Sequence, residues 1–196
     1  MLAELQTLNG LPAHPFIVHL PVVMVPLALV GAILALVRPS WRSWAVPVTA
    51  AFATLGFVGV QLAMMSGEGL EELTGEGGEA AIERHSQLAE QARPMVFAFF
   101  AVALAAAVIV YLIDRGTEAQ ASRTATLRKL AVPVLALSVL TGALATAWVY
   151  RTGHSGAESV WKGEGDERDG GERGEVGEHD SDQQPVVGVD HDDDGD

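Results

Sequence analysis

Four of the six histidines in the chain stand at the same end of four long apolar segments. His14 and His19 lie at the start of the first segment, His85 precedes the third, and His154 follows the fourth. Imidazoles bind transition metals and haem iron, and a titratable group at a bilayer edge is costly to desolvate. We therefore expect one cluster that binds b-type haem or a transition metal for electron transfer, with His19 and His85 as the preferred haem ligands and His14 and His154 next.

Three glutamates accompany these histidines as candidate metal ligands. Glu68 and Glu72 lie one helical turn apart just after the second apolar segment, and Glu158 lies one turn after His154 if the fourth helix continues. Such carboxylates can bind a metal, or orient a ligating imidazole through its second nitrogen. The alternative is a non-catalytic accessory subunit in which the histidines and glutamates form a structural polar network.

Four apolar segments position these residues, and each is long enough to cross a bilayer. They cover residues 16–37, 44–65, 94–113 and 130–150, and none contains an acidic side chain, a lysine or an arginine. About 20 helical residues span roughly 30 Å of hydrocarbon. The sequence predicts an all-α fold, in which residues 1–161 form a polytopic membrane four-helix bundle.

The segment between the second and third spans carries a helical pattern of its own. Over Glu79–Ala92, three-four spacing places Ala81, His85 and Leu88 on one face, away from most of the charged residues. His85 is therefore expected to point inward.

Charge in the loops predicts the orientation. The first and third loops carry the basic residues, whereas residues 66–93 carry seven glutamates and two arginines. Since Lys and Arg concentrate in cytoplasmic loops, we expect a multi-pass protein of the plasma membrane with both termini and the histidines extracytoplasmic. The basic residues of the two loops are Arg38, Arg42, Arg115, Arg123, Arg128 and Lys129.

The C-terminal segment has a different composition from the spans. Residues 152–196 contain 15 acidic and 3 basic residues, a net charge of −12, and almost no large apolar side chains after residue 162. We expect a disordered acidic tail over residues 162–196. The absence of a basic stripe argues against nucleic acid as a partner, which leaves the lipid bilayer and a redox partner or another membrane subunit.

Several kinds of chemistry lack their sequence signature. There are no cysteines, so disulfides, iron–sulfur clusters and covalent haem attachment are excluded. No HExxH motif, nucleotide-binding glycine loop or matched Ser/His/Asp set occurs. An enzymatic activity is thus not expected.

Four stretches together resemble a bacterial membrane family catalogued as domain of unknown function 2231. They are GLPAHPFIVHLPVVMVPLAL at the N-terminus, SGEGLEE after the second span, IERHSQLAE before the third and GHSGAESVW after the fourth. The resemblance covers residues 11–161 and implies four membrane helices. It matches His14, His19, Glu68 and His85 to the family's characteristic polar positions, whereas members often carry Asp where this chain has His154.

Overall fold

Long helices dominate the computed structural model, which describes residues 7–8, 11–71, 79–117 and 120–174. Two very short strands, β1 (Thr7–Leu8) and β2 (Leu11–Pro12), pair antiparallel and precede the helices. The helices are α1 (His14–Ile17), α2 (His19–Val37), α3 (Arg42–Glu71), α4 (Glu79–Asp114) and α5 (Ala121–Gly174).

The last three predicted spans each lie within a longer helix and the first is covered by α1 and α2, so the expected all-α membrane architecture is confirmed. Among the described residues, four stretches are long and apolar enough to cross a membrane: His14–Val37, Pro39–Gly67, Ile82–Asp114 and Ala121–Glu158. Helices are favoured here because a backbone in hydrocarbon must satisfy its hydrogen bonds internally. The helix predicted over Glu79–Ala92 is the first part of α4 and runs without interruption through Pro94 into the third span.

The first span is divided near its start. Val18 separates α1 from α2, three residues before Pro21. Proline has no backbone N–H and crowds the preceding turn, so the carbonyl one turn before Pro21 cannot accept a regular helical bond from it. This break places His14 on the short α1 and His19 on α2.

The core of the bundle contains side chains from all four long helices. One buried cluster joins Val25 on α2, Ala53 on α3, Phe99 on α4 and Ala145 on α5. Small residues let the helices approach: a Cβ on Gly142 of α5 would lie 2.9 Å from the Phe99 ring. Membrane helices associate largely through such close packing, because lipid tails are as apolar as the side chains.

The outward surface of the bundle is apolar. Large hydrophobic side chains on every long helix are exposed, including Val30, Leu55, Val108 and Leu140. An apolar surface that encircles the helices is what hydrocarbon requires.

Contacts divide the chain into Met1–Val160, which contains the strands, α1–α4 and most of α5, and Trp161–Asp196. Helix α5 is described as far as Gly174, beyond residue 162, where the predicted tail begins. An existing helix extends with one hydrogen bond per residue, whereas a new one must first nucleate. The rest of the predicted disordered tail, residues 175–196, lies outside the described residues.

Candidate functional site

His14 is held against the C-terminal part of α3. Its Nδ1–H donates to the carbonyl of Ala63 at 3.0 Å, and the hydroxyl of the buried Ser66 lies 3.0 Å from the same nitrogen. Ser66 in turn donates its own proton to the Ala63 carbonyl, also at 3.0 Å. The neighbouring Gly67 makes room for the ring, since a Cβ there would lie 3.2 Å from His14 Cε1. The N-terminal histidine thus ties α1 to α3.

His85 is held in the same way against α5. Its Nδ1 lies 3.1 Å from the hydroxyl of the buried Ser155, and the ring also interacts with the carbonyl of Thr152. Ser155 donates to that same Thr152 carbonyl at 2.8 Å. A Cβ on Gly156 would lie 2.9 Å from His85 Cε1. His85 is half-buried, as expected for a side chain that points toward the bundle.

The two supports follow one pattern. In each, a histidine near the start of a span meets a Ser-Gly pair near the end of the next span. The serine donates to the carbonyl three residues before it, and the imidazole interacts with both that carbonyl and the serine hydroxyl. The first support consists of His14, Ala63, Ser66 and Gly67, and the second of His85, Thr152, Ser155 and Gly156. We call these two sets the first and second histidine supports.

The two supported rings lie next to each other. The ring centroids of His14 and His85 are 6.4 Å apart, and the ring planes are nearly perpendicular at 86°. Residues 71 positions apart in the sequence are therefore brought together by the packing of α1, α3, α4 and α5. We call this arrangement the histidine pair.

Hydrogen bonding determines which nitrogen of His14 carries the proton. A backbone carbonyl can only accept, so the bond to Ala63 requires a proton on His14 Nδ1. In the neutral ring, Nε2 then carries the lone pair that binds metals. Ser155 donates its proton to the Thr152 carbonyl, so its oxygen is left to accept from His85 Nδ1, which favours the same tautomer for His85.

The other two candidate histidines do not join the pair. The exposed His19 ring makes its described hydrogen bond to the carbonyl of Pro15, one turn back on its own chain segment. His154 has 63% of its side chain exposed, stacks on Tyr150 with centroids 6.1 Å apart, and lies 3.7 Å from Glu158. Of the candidate histidines, the structure thus places His14, rather than the expected His19, next to His85.

Of the three predicted carboxylates, only Glu158 has its side chain among the described residues. Glu158 lies one turn after His154 on α5 and contacts it, as the continuing helix predicted. The side chain of Glu68 and the whole of Glu72 lie outside the described residues. Among the described residues, no group of three or more His, Asp or Glu side chains is arranged to hold a metal ion.

Sequence reasoning did not identify the serines and glycines that support the rings. Serine and glycine near the end of a membrane span are ordinary packing residues when each is considered alone. The available signal was the repeated dipeptide, Ser66-Gly67 after the second span and Ser155-Gly156 after the fourth, each preceded by a histidine at the start of the previous span.

Comparison with known proteins connects most of the chain to one family. The family model described as "Predicted membrane protein (DUF2231)" matches residues 10–166, which include both histidine supports. No curated protein and no solved structure matches the chain.

Proposed function

The chain belongs to the DUF2231 family of predicted membrane proteins, and from that premise we propose that it binds one transition-metal ion between the imidazoles of His14 and His85. The observation that carries this proposal is the matched support of the two rings. In both, Nδ1 lies 3.0–3.1 Å from a serine hydroxyl, and the ring interacts with the backbone carbonyl to which that serine donates. A histidine that binds a metal through one ring nitrogen characteristically donates the N–H of the other to a nearby acceptor. This hydrogen bond fixes the tautomer and raises the basicity of the ligating nitrogen.

The separation of the rings suits a single ion. With a metal–nitrogen bond of about 2.0 Å and a ring centre roughly 1.2 Å behind the ligating nitrogen, two imidazoles bound on opposite sides of one ion have centroids about 6.4 Å apart. The observed separation is 6.4 Å. A tetrahedral angle would require centroids about 5 Å apart. The spacing therefore favours an ion that accepts two nitrogens in a nearly straight line, and among imidazole-binding metals Cu(I) has that preference.

A bare ion suits the surroundings better than haem. The rings pack closely against Gly67 and Gly156, where even one added carbon would be in contact. We therefore assign the pair to a metal ion without a macrocycle.

Loop charge supports an extracytoplasmic position for the pair. The end of the bundle opposite the histidines carries Arg38, Arg42, Arg115 and Arg128, and such residues favour the cytoplasmic side. On this basis both termini and the histidine pair face outward, where a single ion is accessible to a redox partner or another membrane subunit.

A structural role is the second candidate, and a specific observation favours it. Each imidazole already joins two helices through hydrogen bonds, α1 to α3 and α4 to α5. A buried bond of this kind contributes about 0.5–1.5 kcal/mol. In that case the pair stabilises one end of the bundle, and no metal is required.

Asparagine substitution separates the two roles. The amide N–H of asparagine can replace the Nδ1–H donor, but the side chain has no counterpart of the Nε2 lone pair. We expect the detergent-purified protein to bind one Cu(I) per chain in an anaerobic competition titration with a chromophoric chelator. His14→Asn and His85→Asn should each weaken binding at least about tenfold, with little change in thermal stability. His154→Asn, at an exposed histidine outside the pair, is the matched control and should bind like the wild type.

The outcomes distinguish the candidates. Wild-type protein without stoichiometric copper or other transition metal refutes the metal site. The structural role is then established if the alanine variants of His14 and His85 unfold at a lower temperature than the wild type and the asparagine variants restore the melting temperature. If the purified protein shows a Soret absorption band and both asparagine variants lose it, the ligand of the histidine pair is haem rather than a bare metal ion.

A further inference from the structure

A second polar site lies at the end of the bundle opposite the histidine pair. There the end of α4 meets the first turns of α3 and α5 around a cavity of about 380 Å³. Its polar lining consists of Arg42, Ser43, Asp114 and Arg128. This cavity shares no residue with the histidine supports and is separate from the proposed metal site.

The lining of the cavity is amphipathic. Beside the polar groups, Val110, Ile113 and Ala131 form an apolar wall, and Val110 and Ala131 are buried in the bundle. A cavity with cationic groups and an adjoining apolar wall, at the end of a membrane helix, matches the chemistry of a phospholipid headgroup and the first part of its acyl chains.

Arg42 is oriented to bind an anion. Its Nε donates to the carbonyl of Ala35 at 3.0 Å, which holds the half-buried guanidinium at the end of α2. The two terminal nitrogens then remain for a planar, bidentate contact of the kind that arginine makes with phosphate. Among the described residues, no carboxylate lies within ion-pair distance of Arg42 or Arg128, so neither charge is neutralised by a close partner there.

The charge of the lining defines the ligand class. Two arginines and Asp114 give the cavity a net charge of +1, which balances one phosphodiester. We propose that this cavity binds an anionic glycerophospholipid, with its phosphate at Arg42 and Arg128 and the hydroxyl groups of its headgroup toward Asp114 and Ser43. Basic residues at this position are those that the loop-charge rule assigns to the cytoplasmic leaflet.

Lipid titration of the full chain tests the assignment. Detergent-purified protein is titrated with dioleoylphosphatidylglycerol, dioleoylphosphatidylcholine and glycerol phosphate, and binding is followed by native mass spectrometry. We expect phosphatidylglycerol to bind at least about tenfold more tightly than phosphatidylcholine, and glycerol phosphate to bind weakly. Arg128→Gln should weaken phosphatidylglycerol binding about fivefold, the effect of one basic residue near an anionic lipid.

Arg123→Gln is the matched control, because it removes the same charge from the first turn of α5 at an exposed residue that does not line the cavity. It should leave affinity unchanged. Arg128 is exposed and has no described structural contact, so its variant should fold normally, and a thermal melt checks this. Equal losses for the two variants overturn the site in favour of diffuse attraction. If phosphatidylglycerol and phosphatidylcholine bind equally tightly, the cavity does not select an anionic ligand. If glycerol phosphate binds as tightly as phosphatidylglycerol, the ligand is a free phosphate ester rather than a lipid.

Discussion

Replacing Gly156 with alanine should displace the His85 ring while leaving the fold intact. The added Cβ would lie 2.9 Å from His85 Cε1 and 3.2 Å from Nδ1. Ordinary contacts between carbon atoms begin at about 3.5 Å, so the ring must retreat by about 0.6 Å. The bond from His85 Nδ1 to Ser155 Oγ is already 3.1 Å long, and the same movement extends it beyond the roughly 3.5 Å limit of a hydrogen bond.

The displacement should appear in metal affinity rather than in stability. Losing the ring's hydrogen bond costs about 0.5–1.5 kcal/mol, whereas exchanging glycine for alanine in a helix contributes about 1 kcal/mol in the opposite direction. The two effects nearly cancel. Loss of the group that orients a metal ligand typically weakens metal binding about 10–100-fold, so Gly156→Ala should bind Cu(I) that much less tightly with a nearly unchanged melting temperature.

Two other glycines provide a graded comparison. A Cβ on Gly67 would lie 3.2 Å from His14 Cε1, a milder contact, and one on Gly153 would lie 4.0 Å from Val22, an ordinary contact. Copper titration and thermal melts of the three alanine variants should therefore rank the affinity loss as Gly156, then Gly67, with none at Gly153. Gly153→Ala should gain up to about 1 kcal/mol of stability. Wild-type affinity in Gly156→Ala would contradict the role of the ring packing in metal binding.

Three further predictions concern the supports, the pH dependence and the orientation. Because the two supports follow one pattern, Ser66→Ala and Ser155→Ala should weaken copper binding by similar factors, about tenfold each while the carbonyl acceptor remains; a loss confined to one variant contradicts their equivalence. Binding should weaken in acid, by up to a hundredfold per pH unit, since both imidazoles must be neutral to bind metal; a titration with a slope near zero at acid pH counts against two imidazole ligands. The chain has no cysteine, so Gln87→Cys should react with an impermeant maleimide in intact cells and Thr117→Cys only after permeabilisation; the reverse pattern inverts the proposed topology.

The long helices were predictable from the sequence because membrane insertion depends mainly on local composition. Each of the four spans has about 20 apolar residues without a lysine, arginine or acidic side chain, and each is helical, the first with a break at Val18. The inward position of His85 was also predictable, since three-four spacing alone places it with Ala81 and Leu88. The helix ends were less predictable: α4 begins at Glu79 and is continuous with the third span, because a helix started in the polar segment meets no breaker before the apolar one.

The sequence by itself thus determined the four spans, the end of the bundle at which the histidines collect, and the set of candidate ligands. Only the tertiary structure decided that His14, rather than His19, lies beside His85. The physical reason is that ring position depends on acceptors far away in the chain. Carbonyls and serines near the ends of the second and fourth spans hold the ring centroids of His14 and His85 6.4 Å apart, whereas His19 bonds to its own preceding turn. Spacing along one helix cannot specify such pairing, because the pairing depends on how the end of the next helix packs against it.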